Sequence, residues 1–328
     1  MGMQYRLKRT VKTFNVVEGQ FDSFELPRGY DYEHITLQLK GTINVTVAGT
    51  AVRAEAPCQL LPRVELSSNG SFNHYSAPMW NAVFGHNDLS NGAAISTGIT
   101  VPPTAASIAA YPVEATGVIS LNTPDGERPK DSNLVTMGMS LFTLRLTYGT
   151  AAGCFTGAPT ATFTGTVDVI TSELVELDDA AGKRTMPAAL RKTSTQEAVV
   201  TATTNTHEIL LPAGNMVKSV LLRSEGVLTA GEPGVGTLNN ISLQSGTDVR
   251  ANVKAPALRV ENAHMYGWFK NGYYMVDLTR CGGNTARLSE MWDLTRQAQP
   301  KVVSDVTLGA ATTKVQAVVV EYVNLRGG

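Results

Sequence analysis

A near-ungapped internal repeat constrains this chain more than any other feature. Phe24-Glu25-Leu26-Pro27-Arg28-Gly29 returns as Ile209-Leu210-Leu211-Pro212-Ala213-Gly214, at a constant offset of 185 residues. At that offset Ile35 meets Val220, Leu37 meets Leu222, Gly41 meets Gly226 and Ile43 meets Leu228. A second block, Val64-Glu65-Leu66 with Gly70 and then Ala77-Pro78, is answered by Ile241-Ser242-Leu243 with Gly246 and Ala255-Pro256. The offset there, Ala77 to Ala255, has slipped to 178, so the second copy has lost a few loop residues. Solenoid repeats have periods of about 20 to 50 residues, so the duplicated unit is a whole domain. A chain of 328 residues accommodates two domains of about 100 to 200 residues, each large enough to close its own core.

Apolar residues alternate with polar ones along most of the chain. Ile35, Leu37 and Leu39 share one face of an extended segment, and Ile43, Val45 and Val47 resume the pattern after Gly41, which predicts a long strand bent or bulged at the glycine. Segments 139–146, 161–169, 216–222, 273–278, 302–308 and 314–323 read the same way. Helical windows are few and sit in matching places, each opening on a proline: one begins at Ala77-Pro78, the other at Ala255-Pro256. Many strands, few helices and frequent turn signals predict an all-β sandwich or barrel in each copy. Residues 1–17 read as a basic amino-terminal arm, 18–174 as the first domain, 175–197 as a linker that breaks the strand pattern, and 198–328 as the second domain.

Charge is sparse and uneven. Charged residues make up 17% of the chain against 43% apolar, below the roughly 25% charged of ordinary soluble proteins. Leu89 to Val113 and Leu146 to Val167 carry no charge at all. Disordered segments normally keep charge for solvation, so both stretches are expected to be ordered and covered by neighbouring subunits. The second is membrane-length, but its Thr, Gly, Ala and Pro159 cannot supply the transfer energy of a spanning helix. The net charge of −1 gives no overall drive toward nucleic acid or anionic lipid. Locally, however, Arg6, Lys8, Arg9 and Lys12 precede the first acid, Glu18. No apolar run follows them, so they do not read as a secretory signal. Cys58, Cys154 and Cys281 are too few and too scattered for a disulfide framework or a Cys₄ zinc site and read as reduced, buried thiols.

Two sandwich domains in one chain, a strand pair after a Leu-Pro-x-Gly turn, one short helix per copy and a basic amino-terminal arm resemble the double jelly-roll major capsid proteins. These are the coat proteins of tailless, membrane-containing icosahedral phages and of larger relatives such as adenovirus. The resemblance covers residues from about 18 to 328 and lies in architecture and duplication, with no fingerprint motif. It implies an all-β fold of two tandem eight-stranded jelly rolls (a double jelly roll) with one short helix per copy. It further implies a homotrimer of pseudo-hexagonal outline, located in the virion capsid after synthesis in the host cytoplasm. Its implied partners are neighbouring capsid trimers, penton and minor capsid proteins, and inner membrane lipids, with no specific nucleic-acid site. On the same resemblance the arm residues Arg6, Lys8, Arg9 and Lys12 face the particle interior, near lipid headgroups or genome. No catalytic residue, cofactor or metal is implied.

Motifs for chemistry are mostly missing. His34, His74, His86, His207 and His264 form no HExxH and no close pair. Gly231-Glu232-Pro233-Gly234-Val235-Gly236 lacks the Lys-Ser/Thr of a phosphate loop and reads as a turn, and no Gly-x-Ser-x-Gly elbow occurs. Asp178-Asp179 reads as a solvated pair in the linker. Asn44, Asn69 and Asn240 open glycosylation sequons, which carry no weight without an export signal. Trp80, Trp268 and Trp292 with Tyr266, Tyr273 and Tyr274 suit a sandwich core or an interface, or else a sugar-stacking platform. The competing function is therefore a two-domain carbohydrate-binding or bicupin-like β-sandwich. The missing histidine set argues against a bicupin.

Overall fold

The computed structural model describes residues 4–47, 52–85, 99–100, 108–123, 132–156, 159–176, 187, 189–227, 233–266, 270–279, 288–297, 299–309 and 313–325. They divide into two compact units, with the main boundary between Arg191 and Lys192. The first holds β1 (Gln4–Asn15), β2 (Phe21–Glu25), β3 (Asp31–Val47), β4 (Arg63–Ser68), β5 (Phe72–Ala77), helix α1 (Met79–Phe84), β6 (Ile99–Thr100), β7 (Ala109–Ser120), β8 (Leu134–Val135), β9 (Phe142–Thr147) and β10 (Thr160–Glu176). The second takes in most of β11 (Ala189–Val200), then β12 (Thr204–Leu210), β13 (Met216–Ser224), β14 (Leu238–Ser245), β15 (Asp248–Lys254), helix α2 (Ala255–Tyr266), β16 (Tyr273–Asp277), β17 (Trp292–Asp293), β18 (Lys301–Val306) and β19 (Thr313–Asn324). No described helix is long and apolar enough to cross a membrane.

Strand order identifies the fold. In the first unit one sheet runs β1-β10-β3-β7 and the other β2-β9-β4-β5, while in the second they run β11-β19-β13-β16 and β12-β18-β14-β15. Set aside the short β6, β8 and β17, and number the eight principal strands of each unit in chain order. Both units then read first-eighth-third-sixth and second-seventh-fourth-fifth, the order of an eight-stranded jelly roll. Even the minor strands correspond, since β8 pairs with β3 and β17 with β13.

The repeated residues occupy equivalent places. Leu26 and Leu211 each directly follow the second strand and are buried, and their N–H groups donate to the carbonyls of Phe142, which opens the seventh strand, and Pro300, which immediately precedes it. Gly29 and Gly214 follow at φ 95° and 89°, a left-handed conformation that costs glycine little and other residues more. Past the turn, the inward side chains of the third strand match pairwise: Ile35 with Val220 and Leu37 with Leu222, all fully buried. Each such aliphatic side chain contributes about 1.5 to 3 kcal/mol when removed from water. The second block lies on the fourth strands, with Gly70 and Gly246 in the following turn, also at positive φ. The helix follows the fifth strand in both units.

Several expectations meet a different arrangement. Residues 4–15, read in the sequence as part of a basic amino-terminal arm, form β1, paired with β10 from Gln4↔Glu176 to Asn15↔Thr166. The expected linker 175–197 is strand at both ends, the close of β10 and the opening of β11. β1 and β11 are the first strands of the two jelly rolls, and both carry charges where other strands carry aliphatics, which hides their alternation. Of the two uncharged stretches, residues 109–113 belong to β7 while most of 89–108 lies outside the described residues. Residues 146–167 take in strand β9's end, a 3₁₀ turn at Ala151–Cys154 and the first half of β10, where segment 161–169 reads as strand in the sequence.

Gly41 is neither a bend nor a bulge, because β3 and β10 stay in register there, with Gly41 opposite Gly165. The pair exists for close approach. A Cβ on Gly41 would lie 2.6 Å from Gly165 Cα and 2.7 Å from the Phe163 ring, which lies across both glycines. In the second unit α2 covers the outer edge of β16: Asn262 donates from Nδ2 to the Met275 carbonyl at 2.8 Å and accepts from the Met275 N–H at 2.7 Å. Its amide thus stands in for a neighbouring strand.

Two predictions follow from the packing. Gly41→Ala should destabilise the first unit by about 1 to 3 kcal/mol through overpacking, whereas Gly153→Ala, whose Cβ would find its nearest neighbour at 3.8 Å, should be near neutral in urea unfolding. The second concerns His74, a buried residue at a register shift between β4 and β5, whose Nε2 lies 2.9 Å from Ser68 Oγ and whose ring packs on Phe72 and Phe142. Burial lowers its pKa from 6.5 to about 4. The unfolded chain takes up this proton near 6.5 and the folded chain resists until about 4, so stability falls as pH drops across that window, by up to about 3 kcal/mol. Proton NMR of the His74 ring should show the low titration, and His74→Gln should flatten that part of the stability–pH curve.

Candidate functional site

The four basic residues singled out in the sequence all lie on β1, and strand geometry divides them. Side chains alternate between faces along a strand, and β1 has a register shift between Thr10 and Lys12 that leaves Val11 unpaired. Arg9 reaches the buried Glu173 and Lys12 alternates onto the face of the buried Phe14, so both lie on the inner face, with Lys12 exposed at its edge. Arg6 and Lys8 lie opposite Leu174 and Ser172 and turn outward, exposed.

Each inner cation is occupied. Arg9 reaches the Glu173 carboxylate at 3.2 Å and lies over the Tyr30 ring, 5.1 Å from its centroid. Burial works against its charge, but Glu173 outweighs that and holds the Arg9 pKa above its usual value. Lys12 places its ammonium 5.6 Å from the Phe14 ring and 5.9 Å from Phe24, two rings that meet edge-on where the edges of the two sheets come together. Outside, Arg6 pairs with Glu33 at 3.0 Å while staying 62% exposed. Neighbouring ties, Thr13 to Asp168 at 2.6 Å and Lys40 to Asp168 at 2.9 Å, further hold β1 and β3 to β10. The Thr13 hydroxyl and the Lys40 ammonium both lower the Asp168 pKa.

Glu173 was not visible as a functional residue in the sequence. Its side chain is fully buried and also accepts from Thr171 Oγ1 at 2.6 Å. Burial, followed by the negative charge of Glu173, pushes the Tyr32 phenol upward. The second jelly roll repeats the device. Glu321 on β19 is fully buried, receives Lys192 of β11 at 2.9 Å and accepts from Asn215 Nδ2 at 2.7 Å. Glu173 lies opposite Tyr32 and Glu321 opposite Val217, and Tyr32 and Val217 are equivalent under the repeat offset of 185. A carboxylate within an alternating eighth strand was the available signal, but β10 carries Asp168 and Glu176 besides Glu173 and unequal loop lengths obscured the match.

The remaining candidates disperse. Among the described residues no group of three or more His, Cys, Asp or Glu could hold a metal ion. His34 is half-buried on β3 beside Glu33, His207 is half-buried on β12 with its pKa lowered by desolvation, and His264 is exposed on α2. Trp80, Trp292, Tyr266, Tyr273 and Tyr274 are all buried, so none forms an exposed sugar-stacking platform. Cys58 and Cys154 are buried free thiols, and burial pushes Cys154 up to about 12. His86, Trp268, Cys281, Asp178, Asp179, Gly231 and Glu232 lie outside the described residues.

No protein-family model and no curated protein matches the chain. Solved structures do. The major capsid protein of Sulfolobus turreted icosahedral virus aligns over 99% of this chain and 98% of its own, with a TM-score of 0.71 and 18% identity. The major capsid protein P2 of bacteriophage PM2 aligns over 99% and 100%, with a TM-score of 0.60 and 13% identity. The PBCV-1 virus capsid aligns over 98% and 94%, with a TM-score of 0.67 and 13% identity. At such identities the shared property is architecture, and the chain has, end to end, the double jelly-roll fold of these capsid proteins.

Proposed function

We propose that this chain is the major capsid protein of an icosahedral virus, a structural subunit that self-assembles and catalyses no reaction. The observation that carries this reading is the fusion of two jelly rolls with identical strand order in one chain, aligned over nearly its whole length with major capsid proteins. A tile of three such chains presents six similar domains, so a trimer gives a near-hexagonal outline while each copy's loops and edges are free to meet different neighbours. The copies have diverged at matching positions. Glu25 and Arg28 form an ion pair at the first turn, and Arg28 donates to the Met139 and Ser140 carbonyls. The second turn has Leu210 and Ala213 in their places, with Leu210 62% exposed. Low overall charge suits such an assembly, since charged residues are depleted at interface cores.

On this reading the coat lies over an internal membrane, and penton and minor capsid proteins complete the shell. Of the four basic residues, Arg6 and Lys8 are the pair that faces the anionic surface, while Arg9 and Lys12 hold β1 to its own domain.

Sedimentation of the purified chain should give a species of three times 35.0 kDa; a monomer throughout the micromolar range would refute the trimeric coat reading. Arg6→Gln with Lys8→Gln should leave that mass unchanged and weaken co-sedimentation with anionic vesicles at low salt by roughly thirtyfold, at about 1 kcal/mol per basic residue. Arg9→Gln should instead lower stability, because it strips the cation from a buried carboxylate.

A further inference from the structure

Described parts of three uncharged stretches far apart in the sequence meet on one sheet. Residues 41–52, 89–113 and 146–167 carry no Asp, Glu, Lys or Arg, and they adjoin Lys40, Glu114 and Asp168 respectively. In the fold these three residues lie side by side across β3, β7 and β10. Lys40 lies opposite Glu114, and its ammonium meets Asp168 at 2.9 Å. They draw a line of charge across the sheet. Beyond it β3, β7 and β10 continue together as a three-stranded extension, with Asn44 flanked by Thr162 and Ala110, and Thr42 flanked by Thr164 and Pro112.

The two faces of the extension differ. One is core: Ile43, Val45, Tyr111, Val113 and Phe163 are buried. On the other, Thr162, Thr164, Ala110 and Pro112 are exposed and Thr42 and Asn44 half-exposed. In the second unit β13 ends at Ser224, the position that matches Leu39, so among the described residues this extension belongs to the first jelly roll alone.

We infer that this uncharged outward face is a contact surface for a second copy of this chain. The inference rests on the coat-protein reading and adds the place where copies meet. A lipid surface would select basic residues and large apolar side chains, and a nucleic acid would select cations; the face has neither. Its hydroxyl, amide and small apolar groups can be covered by protein without desolvating an ion. With a net charge of −1, one copy does not appreciably repel another. Three strands about 4.8 Å apart and some seven residues long at about 3.3 Å each present roughly 300 Å². One partner of a standard interface contributes about 800 Å², so the face is one part of a larger contact, and its disruption should weaken assembly rather than abolish it.

The test uses the full chain. Thr162→Glu with Ala110→Glu places two charges on the exposed face. Sedimentation across a concentration series should show the dissociation constant raised tenfold or more, with an unchanged circular dichroism spectrum. Hydroxyl-radical footprinting of the unmodified chain should show Pro112 protected at assembling concentrations and reactive on dilution, a reading that does not depend on the variant folding. Wild-type-like assembly of the variant together with unchanged reactivity at Pro112 would overturn the contact while leaving the coat reading intact. Protection that appears only when a different protein is added would overturn the choice of a second copy. An unmodified chain that never associates would overturn the coat reading, and this inference with it.

Discussion

A fully buried carboxylate on the eighth strand cannot remain charged without a cation, and in both jelly rolls that cation comes from the first strand. Arg9 meets Glu173 and Lys192 meets Glu321. The pairing ties the first strand, which is otherwise rich in charge and poor in aliphatic side chains, to the strand that hydrogen-bonds beside it. Losing the cation would leave an uncompensated charge in the core, at about 3 to 5 kcal/mol for a wholly buried pair and less here because both cations are partly exposed. In the first jelly roll β1 and β10 form one border of the sheet, so loss of β1 would expose the edge of β10.

Around that shared anchor the copies have kept their wiring and changed their margins. The turn leucines, the left-handed glycines and the helix after the fifth strand are retained. Strand lengths are not: β3 runs for 17 residues and β13 for 9. Interior positions answer to a single packing problem posed twice, whereas exposed corners answer to whatever each copy touches. Divergence at the margins with retention inside is what a duplicated subunit with two sets of neighbours would show.

Much of this was legible in the sequence because the signals are local. Alternation on β3 and the recurrent Leu-Pro-x-Gly turn give the strands, the duplication and the sandwich class without reference to distant residues. The first strand of each copy was not legible, because a strand whose inward positions carry Arg9 and Lys12 looks like a solvated tail until the partner, 164 residues away in the case of Glu173, is known. Gly41 misled for the same reason: the residue that explains it, Gly165 under the Phe163 ring, lies on another strand. The uncharged stretches were visible individually, but only strand pairing shows that their charged borders align.

Asn262 has a consequence for how the chain behaves before it reaches its final partners. A sheet edge with free backbone groups is a template on which any passing strand, including one from a nascent copy, can grow the ladder. Wherever a chain is present in many copies, such growth would be open-ended and irreversible. By saturating both backbone groups of Met275, a single amide blocks strand pairing at the middle of β16. Association on that side must then proceed through side-chain surfaces, whose shape admits only particular geometries, rather than through an open backbone ladder.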